Sequence, residues 1–244
     1  AQQIEHSTAK NLDEILQLVP GLHSYLSPTN LQDSSIDIRG IRSTFDSKIL
    51  TLMNGVSIDL PESGGTLRHM RIPASMIERV EVIRGPGSAV YGADAFAGVI
   101  NIITKSTEET QGSYFHAGAG TEERGFSAAR YGGRLSDDAT FRLYGKWFER
   151  DTGGGLGFDP ADDWRMNRGG GRMDWEFDDG ASLTLQGDYY DGSSGVRRGV
   201  PQALPTGLTT IGSDENVRGG NVLARLSQQI DESTNWSLQA YYDH

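Results

Sequence analysis

IERVEVIRGPGSAVYGADAFAGVINIITK, residues 77–105, decides how the rest of the chain is read. Val80 and Val82 alternate with Arg79 and Glu81, the period-2 pattern of a strand with one covered face. Arg84-Gly85-Pro86-Gly87 then stops that strand, because glycine supplies positive φ and proline removes a backbone donor. Ser88 is placed to cap a short helical turn through Ala89-Val90-Tyr91, which Gly92 ends, and Gly98 leaves room for another segment to come close. Val99 to Thr104 is almost wholly apolar, as a strand buried on both faces must be. The unit is therefore strand, glycine corner, one helical turn and buried strand. A phosphate loop is a poor match, since Gly-Pro-Gly-Ser lacks the Gly-Lys-Ser/Thr ending that cradles phosphate. A nucleotide-binding enzyme built on Gly85 to Gly92 would have to bind ATP without it, which calorimetry would detect.

The segments upstream repeat this economy of short elements. Residues 1–26 read as helical, with Thr8 or Asn11 as cap and Leu12, Ile15, Leu16 and Val19 at helix spacing. Asp13 and Glu14 sit in the first turn, and Pro20-Gly21 is the terminator. Ile36 and Ile38 alternate with Asp37 and Arg39 before Gly40, and residues 48–53 form an apolar strand ending in the hairpin signal Asn54-Gly55. A turn-rich loop over 61–70 and a short helical turn over 73–76 lead into the deciding stretch.

These motifs, in this order, carry a resemblance. The ungapped run 77–105 resembles the closing segment of the plug domain of TonB-dependent outer-membrane receptors, which hold a globular plug inside a large β-barrel. NLDEILQLVPGL resembles the first helix and turn of that plug, and the IRG at 38–40 its strand end. The resemblance implies an α+β plug domain over 1–105, lacking its first strand and the preceding segment that binds a TonB-type energy-transducing protein. Both would lie upstream of Ala1.

Composition agrees with a barrel following the plug. Thirty-two glycines and only 36% hydrophobic residues are unusual for a packed globular protein but suit a barrel with a polar inner wall. Net charge −11 argues against a nucleic-acid surface, and zero cysteines exclude disulfides and thiolate metal sites. No apolar run reaches the length of a transmembrane helix. Residues 106–111 read as a polar linker without periodicity, and beyond them alternating strands repeat.

Phe141, Leu143, Gly145 and Trp147 alternate with Arg142, Tyr144 and Lys146. The same pattern sets Met173, Trp175 and Phe177 against Asp174 and Glu176, and Leu183, Leu185, Gly187 and Tyr189 against Thr184, Gln186 and Asp188. Residues 115–119, 129–135, 222–227 and 236–243 follow suit, which makes about seven strands of roughly ten residues, the length of a tilted bilayer crossing. Tight turns near Asp137, Asp179 and Glu232 alternate with long connections over 152–164 and 193–215, as short periplasmic turns alternate with long outer loops. Phe141, Phe177 and Trp236 mark one rim, and Trp147, Tyr189 and Tyr242 the other. A soluble sandwich with one polar face has no reason for that loop alternation. Residues 106–244 are thus expected to begin a transmembrane barrel. A wall of about eight strands is filled by its own side chains, so the resemblance implies about 22 strands, seven of them here and the others after His244.

The five histidines, His6, His23, His69, His116 and His244, share no metal-ligand spacing, and no catalytic triad is legible. Asp159, Asp162 and Asp163 make an acidic cluster able to offer oxygen ligands to Ca²⁺, although a solvated loop has the same composition. By resemblance, Arg39 and Arg84 hold the plug by pairing with barrel glutamates, through the bidentate geometry that favours arginine. The plug's outward apices fall at Ser27, Pro28, Thr29, Asn30, Leu31 and Gln32, and at Pro61, Glu62, Ser63, Gly64, Gly65, Thr66, Arg68 and His69. The implied function is capture and TonB-dependent import of a scarce metal chelate (siderophore, haem or cobalamin-like) across the bacterial outer membrane, with the plug facing the periplasm and no covalent chemistry. The alternative from another class is a surface interaction protein, an adhesin or phage and toxin receptor, that keeps plug and barrel without import.

Overall fold

The computed structural model describes residues 4, 12–26, 34–38, 40–43, 48–57, 72–121, 123–151, 163–202, 207–231 and 233–244. The chain divides into two compact units, Ala1–Lys105 and Ser106–His244.

In the first unit a short helix α1 (Leu12–Leu16) precedes a three-stranded antiparallel sheet of β1 (Leu22–Leu26), β2 (Ser34–Ile38) and β3 (Ile41–Ser43). Leu12, Ile15 and Leu16 bury one helical stripe, as their spacing requires. The helical reading of 1–26 is corrected at its end: residues 22–26 are strand. Gly21, at φ 76°, turns the chain back, and Leu22 packs opposite Ile38, so pairing with β2 overrides local propensity.

The second sheet runs β5-β4-β7-β6, with β4 Ile49–Met53, β5 Val56–Ser57, β6 Ile77–Arg84 and β7 Gly98–Thr104. Asn54 and Gly55, at φ 51° and 82°, make the tight hairpin their sequence announces. Asn54 is also fastened to β7: its Oδ1 accepts from the Thr104 N–H at 3.0 Å, and its Nδ2 donates to Thr104 Oγ1 at 3.0 Å. β7 is central, parallel to β4 and antiparallel to β6. Ile100 and Ile102 enter a core with Leu12, Leu16, Ile38 and Ile77, while Val99 points the other way into a cluster with Leu50, Leu52 and Ala95. Each such apolar side chain contributes about 1.5–3 kcal/mol on burial. Two-sided burial is thus what the apolar run required.

At Gly98 a Cβ would lie 2.5 Å from the Ile83 carbonyl oxygen and 3.0 Å from Ile38 Cδ1, so glycine lets β6 and β2 close in. Ser88 is corrected from cap to first residue of α2 (Ser88–Tyr91); Gly87 precedes it and makes no side-chain cap. Glu81 accepts from Arg79 Nε and from Asn101 Nδ2, tying β6 to β7. The Arg79 hydrogen bond is the largest influence holding the Glu81 carboxyl below its ordinary 4.5. A depressed folded-state pKa contributes stability above the unfolded value and loses it as pH falls through the folded one. A small loss of stability of the first unit is therefore expected below about pH 4.5, and Glu81→Gln should flatten it in acid titrations followed by hydrogen exchange.

The second unit is one antiparallel sheet of seven strands in sequence order, with β8 and β14 at its edges. They are β8 Gly112–Gly118, β9 Gly125–Arg134, β10 Ala139–Arg150, β11 Trp164–Glu176, β12 Ala181–Gln202, β13 Gly207–Gln229 and β14 Asn235–Asp243. The tight turns near Asp137, Asp179 and 232 are as expected. The long loop expected over 193–215 is not: β12 and β13 continue as a ladder from Ser193↔Asn216 to Gln202↔Gly207. Among the described residues β11 begins at Trp164, opposite Ser194, and no strand pairs with the outer part of β12 on that side, where a proline at 201 is tolerated. Of the loop expected over 152–164, residues 152–162, with Asp159 and Asp162, lie outside the described residues. Trp164 is the buried first residue of β11.

One face of this sheet exposes Phe115, Tyr131, Leu143, Leu185, Tyr189, Val222, Leu238 and Tyr242. Trp175 and Phe177 stack at 5.2 Å beside the short turns, and Trp147 lies toward the opposite ends. At about 3.4 Å per residue, the β11 segment from Asn167, opposite Trp147, to Trp175 spans about 27 Å of strand. Tilted by roughly 40°, that is about 20 Å of height, near the apolar band of about 25 Å on a transmembrane barrel.

Candidate functional site

The opposite face of the same sheet is polar. Rows of paired residues set Arg142 beside Arg172 and Gln186, and Lys146 beside Arg168 and Tyr190. Arg142 and Arg168 are buried, which charged side chains tolerate only with partners.

Arg168, Tyr144 and Asp188 form the tightest knot, drawn from β11, β10 and β12. Arg168 Nε donates to the Tyr144 hydroxyl at 2.9 Å, the hydroxyl donates to Asp188 Oδ1, and Arg168 Nη2 lies 3.5 Å from Asp188 Oδ2. Arg168 Cζ also lies 5.9 Å from the Tyr190 ring centroid, over the negative face of the ring. What makes the knot possible is Gly170, which pairs with Tyr144 on one side and Asp188 on the other. A Cβ there would lie 2.3 Å from Asp188 Oδ1 and 2.9 Å from Tyr144 Cε1. Chemically the knot neither donates a nucleophile nor poises a base: it neutralises a buried cation and stiffens three neighbouring strands.

Sequence reasoning placed Tyr144 and Asp188 on the polar side of their strands but missed Arg168, because the legible alternation of that strand begins at Met173. Gly170 leaves space for Tyr144 and Gly171 for Leu143 Cδ2, at 2.9 Å from its would-be Cβ.

Of the residues expected to pair plug with barrel, Arg84 donates from Nη1 to the Pro20 carbonyl at 2.8 Å, which fastens the turn after α1. Arg39 lies outside the described residues. So do both apices, Ser27 to Gln32 and Pro61 to His69. Asp163 precedes β11, and no cluster of three or more His, Asp or Glu able to hold a metal occurs among the described residues.

Residues 1–99 match the family model described as TonB-dependent Receptor Plug Domain. The vitamin B12 transporter BtuB of Vibrio vulnificus (strain CMCP6) is 40% identical over 164 residues, covering 66% of this chain and 25% of that protein. The chain thus spans a quarter of the length of that relative. Among solved structures, Pseudomonas aeruginosa FpvA, in complex with a heterologous pyoverdine and iron, superposes with TM-score 0.72 at 15% identity, over 98% of this chain and 32% of that one. The ferric yersiniabactin uptake receptor FyuA of Yersinia pestis superposes with TM-score 0.69 at 18% identity, over 100% and 40%.

Proposed function

We propose, from the premise that the chain belongs to the TonB-dependent receptors, that it supplies the plug and the first seven wall strands of an outer-membrane transporter. The transporter captures a scarce metal chelate and imports it with energy delivered from the inner membrane. The observation that carries this reading is the joining of a plug-type unit to a sheet with an apolar aromatic outer face and a buried polar inner one. Such a sheet is stable where one side meets lipid and the other a polar lumen. Short turns put the 135–138, 177–180 and 230–234 ends at the periplasm.

Cobalamin is the chelate the reading favours, because the relative at 40% identity is a vitamin B12 transporter. Siderophores and haem are the neighbouring classes. Ligand contacts come from the two plug apices, Arg39 and Arg84 secure the plug, and a TonB-type protein engages it upstream of Ala1. Asp159, Asp162 and Asp163 offer oxygen ligands for Ca²⁺ at the outer surface. Capture and release need no covalent step, so the protein works as a transporter and not as an enzyme.

The intact receptor, expressed in cells lacking their own cobalamin transporter, is expected to restore uptake of radiolabelled cyanocobalamin, and loss of the inner-membrane proton gradient should abolish it. Uptake of a ferric siderophore instead would shift the ligand class. No uptake of any chelate alongside specific binding of phage or toxin would replace import with a surface-recognition role.

A further inference from the structure

Residues 106–111 look like a plain polar linker, yet the structure holds them by side-chain and backbone hydrogen bonds. Ser106 and Glu109 form a reciprocal cap: the Ser106 N–H donates to Glu109 Oε2 at 2.8 Å, and the Glu109 N–H donates to Ser106 Oγ at 3.2 Å. This is the capping box that Ser-x-x-Glu encodes, and it winds residues 108–110 into a single 3₁₀ turn.

The turn is docked on the polar face of the sheet. Thr107 donates to Asp174 Oδ2 through both its N–H and its hydroxyl, each at 2.9 Å, and its hydroxyl meets Thr140 Oγ1 at 2.5 Å. Asp174 is held in turn by Thr184 Oγ1 at 2.8 Å and Arg172 Nε at 2.9 Å. Arg142 Nη1 donates to Thr110 Oγ1 at 3.3 Å. Thr107 and Thr110 are both 0% exposed. Gly132 makes the seat: a Cβ there would lie 2.2 Å from the Thr110 carbonyl oxygen. Two residues earlier, the Lys105 N–H still donates to Met76 in the first unit. Allegiance therefore changes between Lys105 and Thr107.

We infer that this docked turn is an anchor that sets how far the plug can be pulled. The inference rests on the import reading, in which force reaches the plug from its N-terminal side. Any rearrangement travels along the chain through β7 and is arrested at Ser106, where a half-buried carboxylate from β11 and a hydroxyl from β10 hold Thr107. The wall strands then bear the load without losing β8.

The test pulls the intact receptor in outer-membrane vesicles by a peptide handle at residue 1, in a single-molecule force instrument. In the wild type the plug should unravel and stop at residue 105. The variant Thr107→Ala/Thr110→Ala removes the docking groups and leaves Asp174, Thr184 and Arg172 in place; its final extension should be longer by about 20 Å, the reach of six residues. Thr107→Cys/Thr140→Cys, oxidised, should stop where the wild type stops, since residues 1–244 contain no other cysteine and the link fixes what is already held. A wild type that already releases the extra length, and loses it only in the crosslinked variant, would overturn the anchor. So would an alanine variant indistinguishable from wild type. Failure of the import reading shows separately, as absent chelate uptake with an unchanged force trace.

Discussion

Val99→Asp is expected to abolish stable folding of the first unit, with a loss of roughly 4 kcal/mol or more. Val99 is 0% exposed and packs among Leu50, Leu52 and Ala95, a cluster with no polar side chain to receive a carboxylate. The carboxyl would be forced to take up a proton or to pull β7 out of the sheet, and β7 is the strand that β4 and β6 both need. Val99→Thr keeps the shape and adds one hydroxyl, so it should cost only about 1–3 kcal/mol. Hydrogen exchange of the β7 amides in the intact protein reads both. Protection in the Asp variant within about 0.5 kcal/mol of wild type, the range of surface substitutions, would contradict the buried position and the sheet order built on it.

Where the sequence was legible, one physical rule dominated. The run 99–104 places apolar residues on both faces of the strand (Val99 and Ile103 on one, Ile100 and Ile102 on the other), which a doubly covered strand requires, and the structure makes it the central β7. Asn54-Gly55 predicts its hairpin because few residues accept positive φ at two adjacent positions. The alternation at 141–147 predicts which face exposes its large apolar side chains. It failed where two rules competed. Gly170 and Gly171, which precede the legible alternation, are vacancies for Tyr144 and Leu143, which come from a strand about thirty residues earlier and are invisible locally. The segment 195–214 is rich in turn formers, yet residues 195–202 and 207–214 pair backbone to backbone, and a two-stranded ladder is held by main-chain hydrogen bonds that any residue but proline can make. Ser106-Thr107-Glu108-Glu109 did carry its signal, the capping box, but what it docks on is Asp174, far along the chain. The plug arginine Arg84 resembles a pairing residue, while within its own unit it donates to the Pro20 carbonyl.

The knot on the polar face yields the second large effect. Arg168→Met should destabilise the barrel wall by about 3–5 kcal/mol, because removing one member of a buried pair strands the other. The side chains of Arg168 and Asp188 are 2% and 10% exposed, so water is poorly placed to replace the lost guanidinium, and among the described residues Asp188 would keep the Tyr144 hydroxyl. Tyr144→Phe removes a bridging hydroxyl but leaves the charges facing each other, and its cost should be nearer 1–2 kcal/mol. The double variant Arg168→Met/Asp188→Leu decides what the pair is for. Replacing both members of a buried ion pair with apolar groups is commonly neutral or better, so the double variant should recover most of what Arg168→Met loses. Thermal unfolding of the intact receptor in detergent provides the comparison. A single variant as stable as wild type would mean that water reaches Asp188 freely. A double variant no better than the single would mean that Arg168 acts through its cation over the Tyr190 ring and not through the carboxylate, moving the centre of the knot from carboxylate to ring.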